Sequence, residues 1–259
     1  MTRRLIATAD DFGDTPEVNA AVIRAHREGI LRFASLMVQR PAAEAAARLA
    51  KENPGLGVGL HLELCADAPE KAGLRYFFDA RARAGLEGEI RSQIEAFLAL
   101  GLRPTHIDGH INVHVHPVIF PAVCRLAREY RIPRVRLPSG EWEALKGFPH
   151  AETAGTAALA GVFTVMGAWV GGAATGLESP PSWGLLRSGL MKEKYVLHLL
   201  ERLPEGTTEM YFHPTLDPEL RAGATPTASH QSMTELETLL SPRIRRALEE
   251  NAVELADPA

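Results

Sequence analysis

The chain has 259 residues, of which 46% are hydrophobic and 23% are charged, which is enough to bury a large core. The net charge is −4 and the arginines are scattered, so we expect no nucleic-acid partner. Cys65 and Cys124 are too few for a disulfide framework. A reducing, cytoplasmic compartment is therefore expected, with one domain over residues 1–259.

Apolar runs rich in Val, Ile and Leu alternate with segments of helical spacing. The predicted strands lie in RLIATAD, FASLMV, LGVGLHLEL, THIDGHINV, RVRLP and TTEMYFH. The predicted helices cover Val18–Glu28, Ala42–Lys51, Leu86–Leu100, Val118–Tyr130 and Lys192–Leu203. Alternating strands and helices build a parallel sheet. We predict an α/β fold, a distorted (β/α) barrel of seven or eight mostly parallel strands, with a doubly wound open sheet as the alternative.

Two adjacent carboxylates, Asp10 and Asp11, follow the first apolar run in LIATADDFG. Parallel α/β folds bind ligands at the carboxyl ends of their strands, where this pair is expected. Like charges there conflict unless a cation or a proton intervenes, which favours a metal site. The alternative is a helix N-cap, although Asp14 or Thr15 can supply that cap alone.

His61 lies inside the apolar run GVGLHLEL. Strand alternation places His61, Glu63 and Cys65 on one face. Two interpretations remain open: a metal ligand whose imidazole Glu63 orients, or a core histidine bonded to the backbone with Glu63 at the surface.

The densest polar cluster is THIDGHINVHVHP, residues 105–117. It contains His106, Asp108, His110, Asn112, His114 and His116. Period-two spacing places His106, Asp108 and His110 on one strand face, and the two later histidines share it only if the strand continues. Histidines are costly to bury without partners, so the cluster predicts metal ligation by at least one of them. Adventitious metal binding, or a set of capping and core histidines, is the alternative.

Two later apolar runs also end in polar side chains. RVRLP carries Arg136 near its end, and EMYFHP ends at His213 and Pro214. Each residue alone is compatible with a surface ion pair or a loop. Their shared position at strand ends favours the same site as the Asp10/Asp11 pair.

Residues 153–177 contain no charged side chain and are numerous enough to cross a bilayer. Gly and Ala dominate this segment, so its tendency to insert is weak and a transmembrane helix is the least favoured interpretation. The other interpretations are a buried helix, an oligomer contact and a surface that touches lipid.

The motifs TADDFG, GLHLEL, HIDGHINVH, VRLP and FHP, in this order, resemble the YdjC-like carbohydrate deacetylase family, which includes chitooligosaccharide deacetylases. ASLMV followed by PAAEAAA, together with VHVHP, is similar to the hopanoid-biosynthesis-associated branch of that family. The resemblance extends from Leu5 to His213. It implies a distorted (β/α) barrel and a divalent-metal-dependent N-deacetylase.

The resemblance also implies roles for individual residues. The implied metal ligands are Asp11, His61 and His110, with His114 and His116 as further candidates, and the expected ion is Zn²⁺ or Mg²⁺. The implied catalytic residues are Asp10 as base, Arg136 as the residue that fixes Asp10, and His213 as donor to the leaving amine.

Three functions remain open at this stage. The first is N-deacetylation of an N-acetylated sugar, either a chitooligosaccharide or N-acetylglucosamine carried by a hopanoid, with residues 153–177 near the membrane. The others are a different metallohydrolase, acting on an amide or a phosphoester, and a non-catalytic sugar- or lipid-binding protein. Asn112 and the short segment 66–85 depart from the family pattern, so the substrate is the least transferable feature. The resemblance weakly suggests a homo-oligomer.

Overall fold

The computed structural model describes residues 2–64, 75–217 and 231–258. The strands in these ranges are β1 (Arg3–Phe12), β2 (Phe33–Leu36), β3 (Gly57–Leu62), β4 (His106–Gly109), β5 (Arg134–Val135), β6 (Leu137–Pro138), β7 (Pro181–Trp183), β8 (Gly206–Phe212) and β9 (Val253–Leu255). The helices are α1 (Pro16–Glu28), α2 (Ala43–Glu52), α3 (Ala80–Ala99), α4 (Ile119–Glu129), α5 (Glu141–Leu145), α6 (Ala154–Val170), α7 (Glu193–Leu200), α8 (Met233–Leu240) and α9 (Pro242–Glu250). Helices separate most successive strands, which is the connection that parallel pairing requires.

Eight of the strands pair in parallel in the order β5-β4-β3-β2-β1-β8-β7-β6. β5 and β6 stand at opposite ends of this order, yet only Arg136 separates them in the chain. The sheet therefore curls into a nearly closed barrel. The short β9 pairs with the start of β1. The predicted (β/α) barrel of seven or eight mostly parallel strands is confirmed, and the alternative of an open sheet is wrong.

The barrel is built around β1, in which eight of ten residues are buried. Because all eight strands run in the same direction, their carboxyl ends meet at one end of the barrel. The polar residues at the ends of β1, β3, β4 and β8 are thereby brought to one rim. This arrangement explains how residues far apart in the sequence reach a single site.

The predicted helices are present, with shifted boundaries. The largest shift is in α3, which begins at Ala80 rather than at Leu86. Asp79 caps it, since its carboxylate accepts hydrogen bonds from the backbone N–H groups of Arg81 and Ala82. Gly85 and Gly88 weaken the helical pattern in this first part, which explains the late predicted start.

Residues 153–177 form α6 and a following 3₁₀ turn, Gly171–Ala174. Val170 is the buried residue of α6, and the others are partly or fully exposed. The interpretation of this segment as a buried helix is therefore wrong. Ala154–Ala174 is long and apolar enough to cross a membrane, with 11% of its most apolar window buried.

Candidate active site

The Asp10/Asp11 pair lies where β1 stops pairing regularly. The register between β1 and β2 shifts between Ala9 and Phe12, and Asp11 has a left-handed backbone with φ of 64°. Neighbouring strand residues normally face opposite sides, and this irregularity allows both carboxylates to reach the barrel interior. Thr15 is the N-cap of α1, because its hydroxyl accepts a hydrogen bond from Val18 N–H at 3.2 Å. The alternative that the pair caps this helix is excluded.

Asp11 lies against two imidazoles at the centre of the site. Its Oδ1 is 3.4 Å from His61 Nε2 and 3.2 Å from His110 Nδ1. One ligand atom from each of these residues lies within 4.8 Å of the others. Burial raises the pKa of Asp11, but hydrogen bonds from His110 and His61 outweigh it and hold that pKa well below its ordinary value. The arrangement brings together a negative charge and two nitrogen donors.

The other oxygen of Asp11 supports a cation site. Asp11 Oδ2 is buried and has no hydrogen-bond partner among the residues that the structure describes. A buried, unpartnered carboxylate oxygen is costly, and a divalent cation held by Asp11, His61 and His110 would satisfy it. A second group, Asp10, His61 and Asp108, has similar spacing, but the guanidinium of Arg136 already contacts both of its carboxylates. The group that contains Asp11 therefore fits a metal better.

Asp108 on β4 orients His61. Its Oδ1 is 2.7 Å from His61 Nδ1, which leaves His61 Nε2 directed toward Asp11. Burial lowers the pKa of His61, but Asp108 and Asp10 raise it well above the ordinary value. Glu63, which one of the two interpretations made the orienting residue, instead pairs with Arg40 at 2.6 Å. The proposed neighbour Cys65 lies outside the described residues.

Arg136 connects the carboxylates at this end of the barrel. It donates two hydrogen bonds to Asp10, from Nη1 at 2.6 Å and from Nη2 at 2.9 Å. Nη2 is also 2.8 Å from Asp108 Oδ2 and 3.1 Å from Glu209 Oε1. Burial lowers the pKa of Arg136, but these three carboxylates raise it well above the ordinary value. One buried cation is thus shared by three buried anions.

Glu209 on β8 is a site neighbour that our reading of the sequence missed. Hydroxyl groups of Thr8 and Ser182 donate to it at 2.7 and 2.9 Å, and Arg136 donates from two nitrogens. Burial raises the pKa of Glu209, but Arg136 and Arg134 lower it to about 2. The signal was available, since Glu209, Tyr211 and His213 follow the period of two that defines one strand face. The Tyr211 ring lies 4.3 Å from the Arg136 guanidinium carbon.

His213 follows the end of β8 and lies next to Asp10. Its Nε2 is 3.9 Å from Asp10 Oδ2, and its Nδ1 is 3.8 Å from Glu235 Oε2. The same Glu235 oxygen accepts the His213 backbone N–H at 2.6 Å, which fixes the chain at this point. Burial lowers the pKa of His213, but Glu235, Asp11 and Asp10 together raise it. His213 is therefore disposed to carry a proton beside Asp10.

The structure does not bring His114 and His116 to the metal-binding group. His114 Nε2 donates to the Arg136 carbonyl at 2.9 Å, and burial lowers the pKa of His114 to about 4. His116 Nδ1 accepts the Val118 N–H at 3.1 Å, and its ring lies 4.3 Å from that of Phe77. The chain turns away after His110, because Ile111 and Asn112 have φ of 50° and 55°. This left-handed backbone is costly for a β-branched residue and marks stored strain.

His106 is buried below the site. Its Nε2 is 3.1 Å from the Ser35 hydroxyl, which in turn donates to Asp108 at 2.6 Å. The imidazole fills the space beside Gly59, where a Cβ would approach its ring to 2.5 Å. Burial lowers the pKa of His106 to about 3, so the ring is neutral at physiological pH. His106 therefore supports Asp108 rather than a cation.

Comparisons with known proteins agree with this architecture. The family model described as YdjC-like protein matches residues 4–250. A protein of Geobacillus stearothermophilus named carbohydrate deacetylase is 34% identical over 269 residues, which cover 98% of this chain and 96% of that protein. Another protein of that name, from Brevibacillus brevis, is 45% identical over 148 residues, which cover 52% of this chain and 59% of that protein.

Two solved structures share the fold. A protein of Enterococcus faecalis V583, described as a cellobiose-phosphate cleavage protein, aligns with a TM-score of 0.73 over 99% of this chain and 97% of its own, at 23% identity. The lactam utilization protein of Thermus thermophilus aligns with a TM-score of 0.50 over 97% of this chain and 98% of its own, at 17% identity. At these identities the likeness shows the fold alone, so the function has to be argued from the site.

Proposed function

Because the chain belongs to the YdjC-like protein family, we propose that it is a divalent-metal-dependent hydrolase that removes the acetyl group from an N-acetylated sugar. The observation that carries this proposal is the position of Asp10, which has a carboxylate oxygen within 4.8 Å of a ring nitrogen of His61, a residue of the candidate cation site, and 3.9 Å from His213 Nε2. Two relatives named carbohydrate deacetylase support the substrate class. One aligns over 98% of this chain, and the other is 45% identical over 52% of it. Amide hydrolysis needs an activated water, a base and a proton donor, and these groups can supply all three.

We assign the cation to Asp11, His61 and His110. One carboxylate and two imidazoles form a donor set that suits Zn²⁺, whereas Mg²⁺ prefers oxygen ligands, so Zn²⁺ is the better fit of the two expected ions. A cation bound there supplies a water of lowered pKa and polarises the acetyl carbonyl. His114 and His116 are left out of this set, because their rings contact the Arg136 carbonyl and Phe77 instead.

Asp10 is the proposed base. Its carboxylate takes a proton from the attacking water as oxygen adds to the acetyl carbon. The two hydrogen bonds from Arg136 hold the carboxylate in one orientation, so Asp10 is already positioned to accept that proton. Asp108 and Glu209 fix the guanidinium in turn, which makes Arg136 a positioning residue.

His213 is the proposed acid. In its protonated form it donates a proton to the sugar nitrogen as the C–N bond breaks, and the products are acetate and a free amine. Glu235 and the two aspartates raise the pKa of His213 against the effect of burial, which favours the protonated form. The proton that Asp10 gains and the proton that His213 loses balance over the reaction.

The sugar substrate is proposed in two alternative forms. A soluble chitooligosaccharide is supported by the relatives named carbohydrate deacetylase. N-acetylglucosamine linked to a hopanoid is supported by the motifs ASLMV and VHVHP, which resemble the hopanoid-associated branch. A lipid-linked substrate would require the enzyme to work at a membrane surface.

The test is acetate release from a chitooligosaccharide and from lipid-linked N-acetylglucosamine, using protein stripped of metal and reloaded with Zn²⁺, Mg²⁺, Co²⁺ or Ni²⁺. We expect metal-dependent acetate. Asp10→Asn should lower kcat/KM by about 10²–10⁴-fold, since it removes the base while keeping the size of the side chain. The matched control is Asp14→Asn, which changes a nearby carboxylate that contacts Arg40 and Gln231.

Two results would contradict the proposal. Full turnover by the Asp10→Asn protein would remove Asp10 from the mechanism. Release of a product other than acetate, with no acetate from either substrate under any metal, would assign the site to a different hydrolysis.

A further inference from the structure

The helix α6 and the following turn, residues 154–174, form an apolar surface on the outside of the barrel. Val162, Val165 and Trp169 are 53%, 66% and 70% exposed, respectively. Exposed apolar area of this kind is unusual on a soluble protein and marks a binding surface when it is contiguous. We call residues 154–174 the apolar helix.

The distribution of apolar residues distinguishes between two possible occupants. A helix that packs against a protein partner needs one apolar stripe and keeps polar residues on its other faces. The apolar helix has no charged residue on any face. Ala160, Phe163 and Thr164 line a cavity together with residues of the barrel, while Leu159, Val162 and Trp169 are exposed. The faces that the barrel leaves open are uncharged, and a lipid surface would cover them together, whereas a single protein partner covers one stripe.

Several polar groups of the apolar helix have hydrogen-bond partners within the protein. The Thr156 hydroxyl donates to the Ala151 carbonyl at 2.6 Å, and the Thr164 hydroxyl donates to the Ala160 carbonyl at 2.8 Å. At the carboxyl end, the Arg128 guanidinium donates to the carbonyls of Ala173 and Thr175. Groups that are paired in this way do not need hydrogen bonds from water, as a lipid environment requires.

The carboxyl end of the apolar helix is tied to the barrel. Val170 and Ala174 are buried, and Arg128 on α4 holds the turn that follows. A helix crossing a bilayer would have to release these contacts. The helix is about 25 Å long, and lying flat it could place its exposed side in the boundary between headgroups and acyl chains.

We infer that the apolar helix docks the protein on the surface of a lipid bilayer, lying in the interface without crossing it. Because the helix carries no charge, the affinity comes from apolar burial, so anionic lipid is not required and salt has little effect. Exposed Trp169 is suited to the interface, where tryptophan is enriched. This inference stands on the helix alone and does not rest on the proposed reaction.

The inferred docking surface is close to the candidate active site. The helix residues Ala160 and Phe163 line a small cavity together with Pro138 at the end of β6 and Ser182 on β7. The Ser182 hydroxyl donates to Glu209, which contacts Arg136. A docked protein would thus hold this rim of the barrel near the membrane surface.

The experiment is flotation of the full chain with phosphatidylcholine vesicles, at low and high salt. We expect the wild-type protein to float under both conditions. The double variant Val162→Glu with Val165→Glu should bind at least tenfold more weakly, because it places two charges in the lipid. The matched control is Leu98→Glu, which adds a charge to a 39% exposed leucine on α3 and should leave binding unchanged. Thermal melting of each variant would verify that it is folded.

Three results would overturn the inference. One is the absence of flotation by the folded wild-type protein, and another is equal flotation by the folded double variant. The third is binding that needs anionic lipid and disappears at high salt, which would show that charge carries the affinity.

Sedimentation velocity without vesicles provides a further check. A dimer that the double variant dissociates, combined with no flotation, would assign the helix to a contact between two copies of the chain.

Discussion

The candidate active site and the apolar helix depart in opposite directions from the usual distribution, in which charged residues are exposed and apolar residues are buried. At the site, Asp10, Asp108 and Glu209 surround Arg136, and all four side chains are at most 3% exposed. Along the apolar helix, apolar side chains up to 70% exposed face outward and no residue is charged. One region buries charge, and the other exposes apolar surface.

The two regions have different energetic requirements. Buried charges destabilise a fold unless each has a partner, so the site remains folded only because its ions are mutually paired. Exposed apolar residues leave the folded state nearly unaffected and instead create a tendency to bind something apolar. Changes in the first region should therefore alter stability, whereas changes in the second should alter association.

Arg136→Gln should have the largest effect on stability. It removes the one cation that contacts all three carboxylates and leaves Asp10, Asp108 and Glu209 buried together. We expect a loss of about 3–5 kcal/mol in the free energy of unfolding, measured by urea denaturation at neutral pH. The control is Arg91→Gln, which breaks the exposed pair with Glu129 and should leave the free energy of unfolding almost unchanged. Equal losses in the two variants would show that the buried network contributes no special stability.

Glu209 should make stability depend on pH in the acid range. Burial raises the pKa of Glu209, but Arg136 and Arg134 lower it from 4.5 to about 2 in the folded protein. A carboxyl whose pKa is lowered by folding stabilises the protein above its unfolded pKa, and this contribution is lost as the pH falls toward the folded value. The free energy of unfolding should drop by about 3 kcal/mol from this group between roughly pH 5 and pH 2.

The measurement is urea denaturation across that pH range for the wild-type protein and for Glu209→Gln. The variant cannot titrate at this position, so its stability should fall less steeply with decreasing pH. Parallel pH profiles for the two proteins would contradict the prediction, even if the variant were less stable at every pH.

Much of the fold and part of the site arrangement could be predicted from the sequence. Alternating strands and helices indicated a parallel barrel, and parallel strands bring their carboxyl ends together. For that reason Asp10, Asp11, His61 and His213 were expected near one another, and the structure brings them together. Strand direction and the position of each residue within its strand are sufficient to place these four side chains at one end of the barrel.

The remaining features depend on which strands are neighbours. Asp108, and not Glu63, contacts His61 because β3 and β4 are adjacent and His61 is in register with Asp108. Glu209 was missed because its partners Thr8 and Arg136 are distant in the sequence, and a lone strand glutamate is more often exposed. The turn of the chain at Ile111, which directs His114 away, is a backbone feature that periodicity does not encode.

The sequence pattern also could not predict the shortest strands or the exposure of the apolar helix. β7 and β9 have three residues each, too few for alternation to distinguish them from loops. The composition of residues 154–174 does not distinguish a helix buried in the protein from an exposed helix that binds an apolar partner, because a helix apolar on every face suits either environment. The packing of the rest of the chain decided between them.

Val165→Thr should have the smallest effect, and it sharpens the comparison between the two regions. Threonine keeps the size and β-branching of valine, and Val165 is 66% exposed, so the hydroxyl remains in water. We expect a change within about 0.5 kcal/mol in the free energy of unfolding, measured in urea without lipid. The control is Val58→Thr on β3, at 5% exposure, where burying an unpartnered hydroxyl should cost about 1–3 kcal/mol. If Val165→Thr cost as much as Val58→Thr, the outer face of the apolar helix would be packed in solution, and exposed apolar surface would no longer distinguish it from the site.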